Sequence, residues 1–216
     1  MGVKLKHASG NGTVIGAPAA NPSADITLKA PSTTGSAGQV LKVASANHSS
    51  TNAELEWAAD SGGLFSSYAL IEDQKAHDTH GGTFTSGAWR TRDLNTEIAD
   101  PDSIVSIASN RFTLGAGTYL IKWRCPVREV AQHMTRLYNY TDTAVVRNGS
   151  SEYSDDVNIT NDSSGMARTT ISGSKAFEIQ HYCSQTRADI GFGVKVNAVD
   201  DPTEQYTQVE IYKEAA

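Results

Sequence analysis

Cysteine is scarce in this chain: Cys125 and Cys183 are the only two in 216 residues. Two thiols cannot build a disulfide framework, and both fall inside apparent strands, where a free Cys packs as a small apolar residue. Basic residues never gather into a run, and 18 Lys and Arg against 24 Asp and Glu leave a net charge of -6. The chain thus lacks the electrostatic footprint that grips phosphate backbones, and nucleic acid is not an expected partner. Long apolar runs are missing too. No stretch approaches the ~20 residues of a membrane helix, and the N-terminus has no apolar centre of a secretory signal, so no membrane partner is expected. Met1-Gly2 opens like a myristoylation signal, but Lys6 stands where that pattern requires Ser or Thr.

Reactive motifs are equally sparse. There is no Gly-x-Ser-x-Gly elbow, Walker loop or dinucleotide fingerprint. The densest cluster is His77-Asp78-Thr79-His80, whose two imidazoles suit zinc chemistry, but it sits in a polar stretch and reads as a solvated loop. Asp155-Asp156 near Asp162 offers oxygens of the kind calcium takes, without the glycine-punctuated spacing of a dedicated loop. It reads as a solvated turn. His7, His48, His133 and His181 show no partner, and His133 and His181, which lie in strands, read as structural residues. Arg90, Arg92 and Asp93 read as surface residues, with an inter-subunit charge network as the alternative. Paired carboxylates on a long β-helical body, the signature of a glycan-degrading spike, have no room here. The expectation is a non-enzyme with no catalytic, cofactor or metal residues. Asn-x-Ser/Thr triplets such as Asn148-Gly149-Ser150 follow from the Asn and Ser content.

What is present divides in two. Aromatic residues are absent upstream of Trp57, so a packed core belongs downstream. Residues 1–60 are small and polar, punctuated by Pro18, Pro22, Pro31 and paired glycines, with short alternating snippets such as Ile26-Thr27-Leu28 and Val40-Leu41-Lys42-Val43. Such an arm cannot bury enough apolar surface to offset ~1–2 kcal/mol of backbone entropy per residue, and should order against a partner chain.

Residues 61–216 carry longer alternating strands separated by turn signals, among them Ser109-Asn110, Gly115-Ala116-Gly117 and Asn148-Gly149. Strands are expected near 68–73, 104–108, 117–127, 132–140, 144–147, 167–171, 176–183, 190–197 and 206–213. In 119–125, Tyr119, Ile121, Trp123 and Cys125 share one face and Lys122 and Arg124 the other; 177–183 alternates likewise, with Glu178 and Gln180 opposite the core face. Almost no helical periodicity competes. The fold class is all-β, a jelly-roll β-sandwich preceded by an extended arm.

Two stretches resemble known families. Ile26-Thr27-Leu28-Lys29-Ala30-Pro31, Gly35-Ser36-Ala37-Gly38-Gln39-Val40-Leu41-Lys42 and Glu54-Leu55-Glu56-Trp57-Ala58 together resemble a module of tailed-phage fibre and appendage proteins. That resemblance implies an intertwined three-chain β arrangement. Phe112-Thr113 followed by Gly117-Thr118-Tyr119-Leu120-Ile121 is similar to a strand pair in the heads of the complement and tumour-necrosis-factor-like superfamily. Gly81-Gly82-Thr83-Phe84, with Trp89 to Thr96, is similar to the segment that opens such heads in phage proteins. The family implies a homotrimer of jelly rolls.

The implied role is a virion structural protein on the particle exterior. Its arm would meet the major capsid protein or other virion subunits. Decoration of the head, as cement or spike, is favoured because the arm starts at Met1 and leaves no space for a separate tail-attachment domain. The alternative is a short tail fibre whose long polar loop at 148–165 meets a host glycan or receptor.

Overall fold

The computed structural model describes residues 3–6, 12–15, 27–44, 46, 49, 52–59, 63–154, 157–196 and 203–215. Every regular element among them is a β-strand, and the chain divides into two compact units, Met1–Gly62 and Gly63–Ala216.

In the first unit β1 (Val3–Lys6) and β2 (Gly12–Ile15) pair antiparallel. A second sheet has the order β3-β5-β4, where β3 (Thr27–Lys29) lies parallel to β5 (Asn52–Ala59) and β4 (Gln39–Val43) antiparallel to it. Register places Leu28 opposite Ala53, Val43 opposite Leu55 and Leu41 opposite Trp57. Because strand side chains alternate, these six apolar residues share one face, while Lys29, Glu54, Lys42 and Glu56 share the other. The apolar face stays open: Leu28 is 61% exposed and Leu41 and Val43 48% each. Ala53, Leu55 and Trp57 of the central strand are half-buried, and Trp57 is held by the loop before β4. Its indole donates to Thr33 O at 2.8 Å, and the 31–38 loop folds against it at Gly35, where a Cβ would sit 2.6 Å from the ring. Among residues 27–44 and 52–59 none is buried.

The second unit is a sandwich of two antiparallel sheets. The terminal sheet holds its first and last strands, β6 (Phe65–Ala76) and β16 (Thr203–Glu214), as neighbours. With β8 (Thr96–Ala99), β11 (Gly117–Arg128) and β14 (Thr160–Ile171) the order is β14-β11-β16-β6-β8. The other sheet has the order β13-β12-β15-β10-β9, comprising β9 (Val105–Ala108), β10 (Arg111–Leu114), β12 (Ala131–Asn139), β13 (Ala144–Ser154) and β15 (Lys175–Cys183); the two-residue β7 (Arg90–Thr91) also pairs with β15. From β10 onward the chain passes between the sheets at every step except β12 to β13. That crossing pattern is a jelly roll. Ser109 and Asn110, with φ of 53° and 62°, make the two-residue turn between β9 and β10.

Alternation builds the core. Tyr119, Ile121, Trp123, Cys125 and Val127 of β11 face inward against Phe177, Ile179 and Cys183 of β15 and Val209 and Ile211 of β16. The buried apolar residues fall into two clusters. A large one centres on Phe112, Ile121, Phe177 and Ile211, and a small one on Phe84, Val127, Val130 and Cys183. Both cysteines are free and buried.

Three local expectations are corrected. Residues 190–196 form no strand: Gly81 N donates to Gly193 O, Phe192 N to Gly82 O and Arg128 N to Gly191 O, so the segment is a turn tied to the 81–82 loop and to the end of β11; Asn197 lies outside the described residues. Asn148-Gly149 is not a turn but part of β13, at an irregularity in its register with β12. A Cβ on Gly149 would meet Thr135 Oγ1 at 2.3 Å, so glycine permits a close approach. The long loop expected at 148–165 is accordingly mostly β13 and β14.

Candidate functional site

Between the two apolar clusters the sandwich is polar. Along β15 the inward positions run Ile179, His181, Cys183, and along β16 Thr207 precedes Val209; His181 and Thr207 are fully buried. Thr135 and Ser163, also fully buried, join them from β12 and β14. Trp123 Nε1 donates to Thr135 Oγ1 at 2.8 Å, and the Thr135 amide donates to Ser163 Oγ at 2.9 Å.

Arg92 enters this layer, contrary to its expected surface position. It is 1% exposed and the largest fully buried side chain. Its amide is tied to Ile179 O at 2.8 Å beside β15, while its Nε donates to Thr207 Oγ1 of the opposite sheet at 2.9 Å. Nη2 donates to Phe192 O at 3.0 Å, and the guanidinium lies 4.3 Å from the Phe192 ring centroid. Burial lowers its pKa, opposed by the charges of Asp73, Asp93 and Asp162, none of which makes an ion pair with it. Asp73, itself buried, pairs with Lys75 at 3.1 Å, and Lys75 also binds Asp93 at 2.9 Å.

His133 and His181, which showed no partner in sequence, are each other's. Nδ1 of His133 stands 3.0 Å from Nε2 of His181, and Nε2 of His133 3.0 Å from Asn161 Oδ1. Burial holds His181 well below the ordinary histidine range, with the charges of Arg92 and His133 adding to it. His133 is lowered by burial, against the Asn161 hydrogen bond. Both imidazoles are therefore neutral at neutral pH. Burial also pushes each thiol up to about 11, which leaves neither a ready nucleophile.

The other expected groups stay apart from this layer. Asp78 pairs with Lys195 Nζ at 2.5 Å, and the Lys195 amide donates to His80 Nδ1 at 3.2 Å. Asp162 lies on β14 and pairs with Arg124 at 2.9 Å; Asp155 and Asp156 lie outside the described residues. Among the described residues no three His, Cys, Asp or Glu side chains converge to hold a metal ion. Arg90 donates to Thr85 O at 3.1 Å.

The outer faces differ in kind. On the terminal sheet, charges are paired strand to strand: Lys122 with Glu210 at 3.2 Å, Arg124 with Asp162, and Arg168 with Glu214 at 2.7 Å. Tyr212 sits between Phe65 and Tyr68, with ring centroids 5.1 and 5.0 Å away, and donates to Glu210. On the other sheet, Arg136 stacks on Trp89 at 3.9 Å and Arg111 on Tyr140 at 3.4 Å. Arg111 also binds Glu178 at 2.9 Å, so Glu178, opposite the core, is nonetheless only 3% exposed. Beside them an open cleft of about 630 Å³ is lined by His133, Met134, Glu152, Tyr153 and Tyr182.

No protein-family model matches the chain, and no curated protein matches it. Among solved structures it is similar to the globular domain of zebrafish complement 1qA protein, at 11% identity and a TM-score of 0.43 over 68% of this chain and 96% of that one. It is also similar to murine APRIL, at 5% identity and a TM-score of 0.43 over 68% of this chain and 98% of that one. The class of the second unit rests on its own strand order: a jelly-roll sandwich with a buried polar layer between two apolar clusters.

Proposed function

We propose that this protein is a homotrimeric structural component of a phage particle, a capsid decoration protein whose N-terminal arm anchors it and whose head projects outward. The observation that carries this reading is the one-sided sheet β3-β5-β4. Its apolar face, Leu28, Leu41, Val43, Ala53, Leu55 and Trp57, is made of the same segments whose wording resembles phage appendage modules, and on it Leu28, Leu41 and Val43 stay largely exposed. A face so divided is unstable in water by itself, and equivalent faces of identical chains are the simplest cover. The terminal sheet supports self-association by the head. Lys122, Arg124 and Arg168 on its outer face are already paired with carboxylates and its aromatic cluster is half-exposed, so covering it leaves none of those three cations unpaired.

In such a trimer three linked arms engage neighbouring subunits, and the later contacts become intramolecular. The partners are further copies of the chain and the major capsid protein or other virion subunits; the location is the particle's outer surface. No enzymatic role is proposed. The tail-fibre alternative drew on a recognition loop at 148–165, which strands β13 and β14 largely replace. Purified phage heads lacking tails test the placement. They should contain the full chain and lose it when residues 1–60 are deleted. Heads devoid of the protein would refute decoration.

A further inference from the structure

Two buried polar atoms in the layer between the apolar clusters have no hydrogen-bond partner in the protein, Arg92 Nη1 and His181 Nδ1. Arg92 is 1% exposed and His181 0%, so each such atom carries the full cost of its lost hydration. They share one neighbourhood. The Arg92 amide binds Ile179 O, which sets Arg92 opposite a residue two positions from His181 on the same inward face of β15. The Phe84 ring packs on both His181, at 4.9 Å, and Phe192, at 4.4 Å, and Phe192 is the ring that Arg92 covers.

The protons on the two histidines follow from the far end of their chain. Asn161 Nδ2 donates to Tyr153 O at 3.0 Å, which leaves Asn161 Oδ1 to accept from His133 Nε2. A neutral His133 then has no proton on Nδ1, and Nδ1 accepts from His181 Nε2. A neutral His181 in turn presents a bare lone pair at Nδ1. Arg92 Nη1, by contrast, can only donate. What joins them must accept from one side and donate to the other, and must be small.

We propose that Arg92 Nη1 and His181 Nδ1 together form a binding site for one internal water molecule. Donors then run in a single direction, from Arg92 through the water, His181, His133 and Asn161 to Tyr153 O. The water satisfies both orphaned atoms with the partners that buried waters ordinarily take. A halide is the wrong occupant, because it would face the His181 lone pair. The chain also fastens the sandwich. Arg92 reaches Thr207 of the terminal sheet, and His133 of β12 reaches Asn161 of β14. His133 lines the open cleft, so the far end of the chain lies next to solvent.

Crystals of the full chain grown at neutral pH with bromide, and refined near atomic resolution, test the proposal. One oxygen-sized peak within hydrogen-bond distance of both nitrogens, with no anomalous signal, is expected. A bromide peak there, or both nitrogens bonded directly to protein atoms, overturns it. Nitrogen-detected NMR of the imidazoles of the same full chain gives a second reading. His181 should carry its proton on Nε2 and show an accepting Nδ1; a proton on Nδ1 overturns the proposal.

Discussion

The two units are written in the same strand alphabet and differ in what they can do alone. The head closes two sheets on each other and buries Phe112, Ile121, Phe177 and Ile211 completely. The arm's sheet has one apolar face, on which Leu28, Leu41 and Val43 remain open among the described residues. A strand pattern specifies which face is apolar; whether that face is covered depends on a second layer, which the head supplies for itself.

The sharpest way to break the contrast is to truncate one side chain in each unit. Phe112 is fully buried and stacks on Phe177 with centroids 5.7 Å apart. Phe112→Ala should therefore cost the head about 3–5 kcal/mol, read as a lower urea midpoint. Leu41→Ala, at a position 48% exposed, should leave that midpoint unchanged and act only on association. Equal losses from both substitutions would erase the distinction.

A smaller effect is expected from filling space that the head has already used. A Cβ at Gly165 would stand 2.1 Å from Trp123 Cζ2, so Gly165→Ala should destabilise by about 1–3 kcal/mol and shift the Trp123 emission. An unchanged spectrum and midpoint would mean that Trp123 does not pack there.

Acid should loosen the head through the polar layer. His181 and His133 are both held below their ordinary range, so between their folded values and about 6.5 the unfolded chain binds more protons. Stability is thus complete above about pH 6.5 and is lost as pH falls below it, by up to about 1.4 kcal/mol per pH unit for each histidine. Asp73, raised by burial, works in the opposite sense at lower pH. Urea midpoints measured across this range should fall with acid, and His181→Phe should flatten the slope. A slope that the substitution leaves intact would assign the effect to other groups.

The smallest effect belongs to the arm's surface. Lys42 and Glu56 are 3.8 Å apart and about half exposed, so Lys42→Ala should change stability by less than about 0.5 kcal/mol in thermal unfolding.

Much of the sandwich was legible because alternation is local. The inward residues of β11 and β15, both buried cysteines and the Ser109-Asn110 turn follow from short stretches of sequence. The polar layer was not, since its partners lie far apart in the chain: Arg92 meets Thr207 across 115 residues and His133 meets His181 across 48. One signal was available. His181 occupies an inward position in an alternating strand, and a polar residue at a core position needs a partner. Arg92 gave no such sign, because the two-residue strand before it is too short to show a period. Asn148-Gly149 misled for a related reason: the pair that suits a hairpin turn also suits a close approach between neighbouring strands.

The central claim, that this chain works as a homotrimer, is tested most directly by light scattering on the purified full chain beside a copy lacking residues 1–60. The account predicts a full-chain mass three times 23.0 kDa, with the shortened copy also trimeric if the paired charges and aromatic cluster of the terminal sheet form the head's interface. A full chain that runs as a monomer would contradict it.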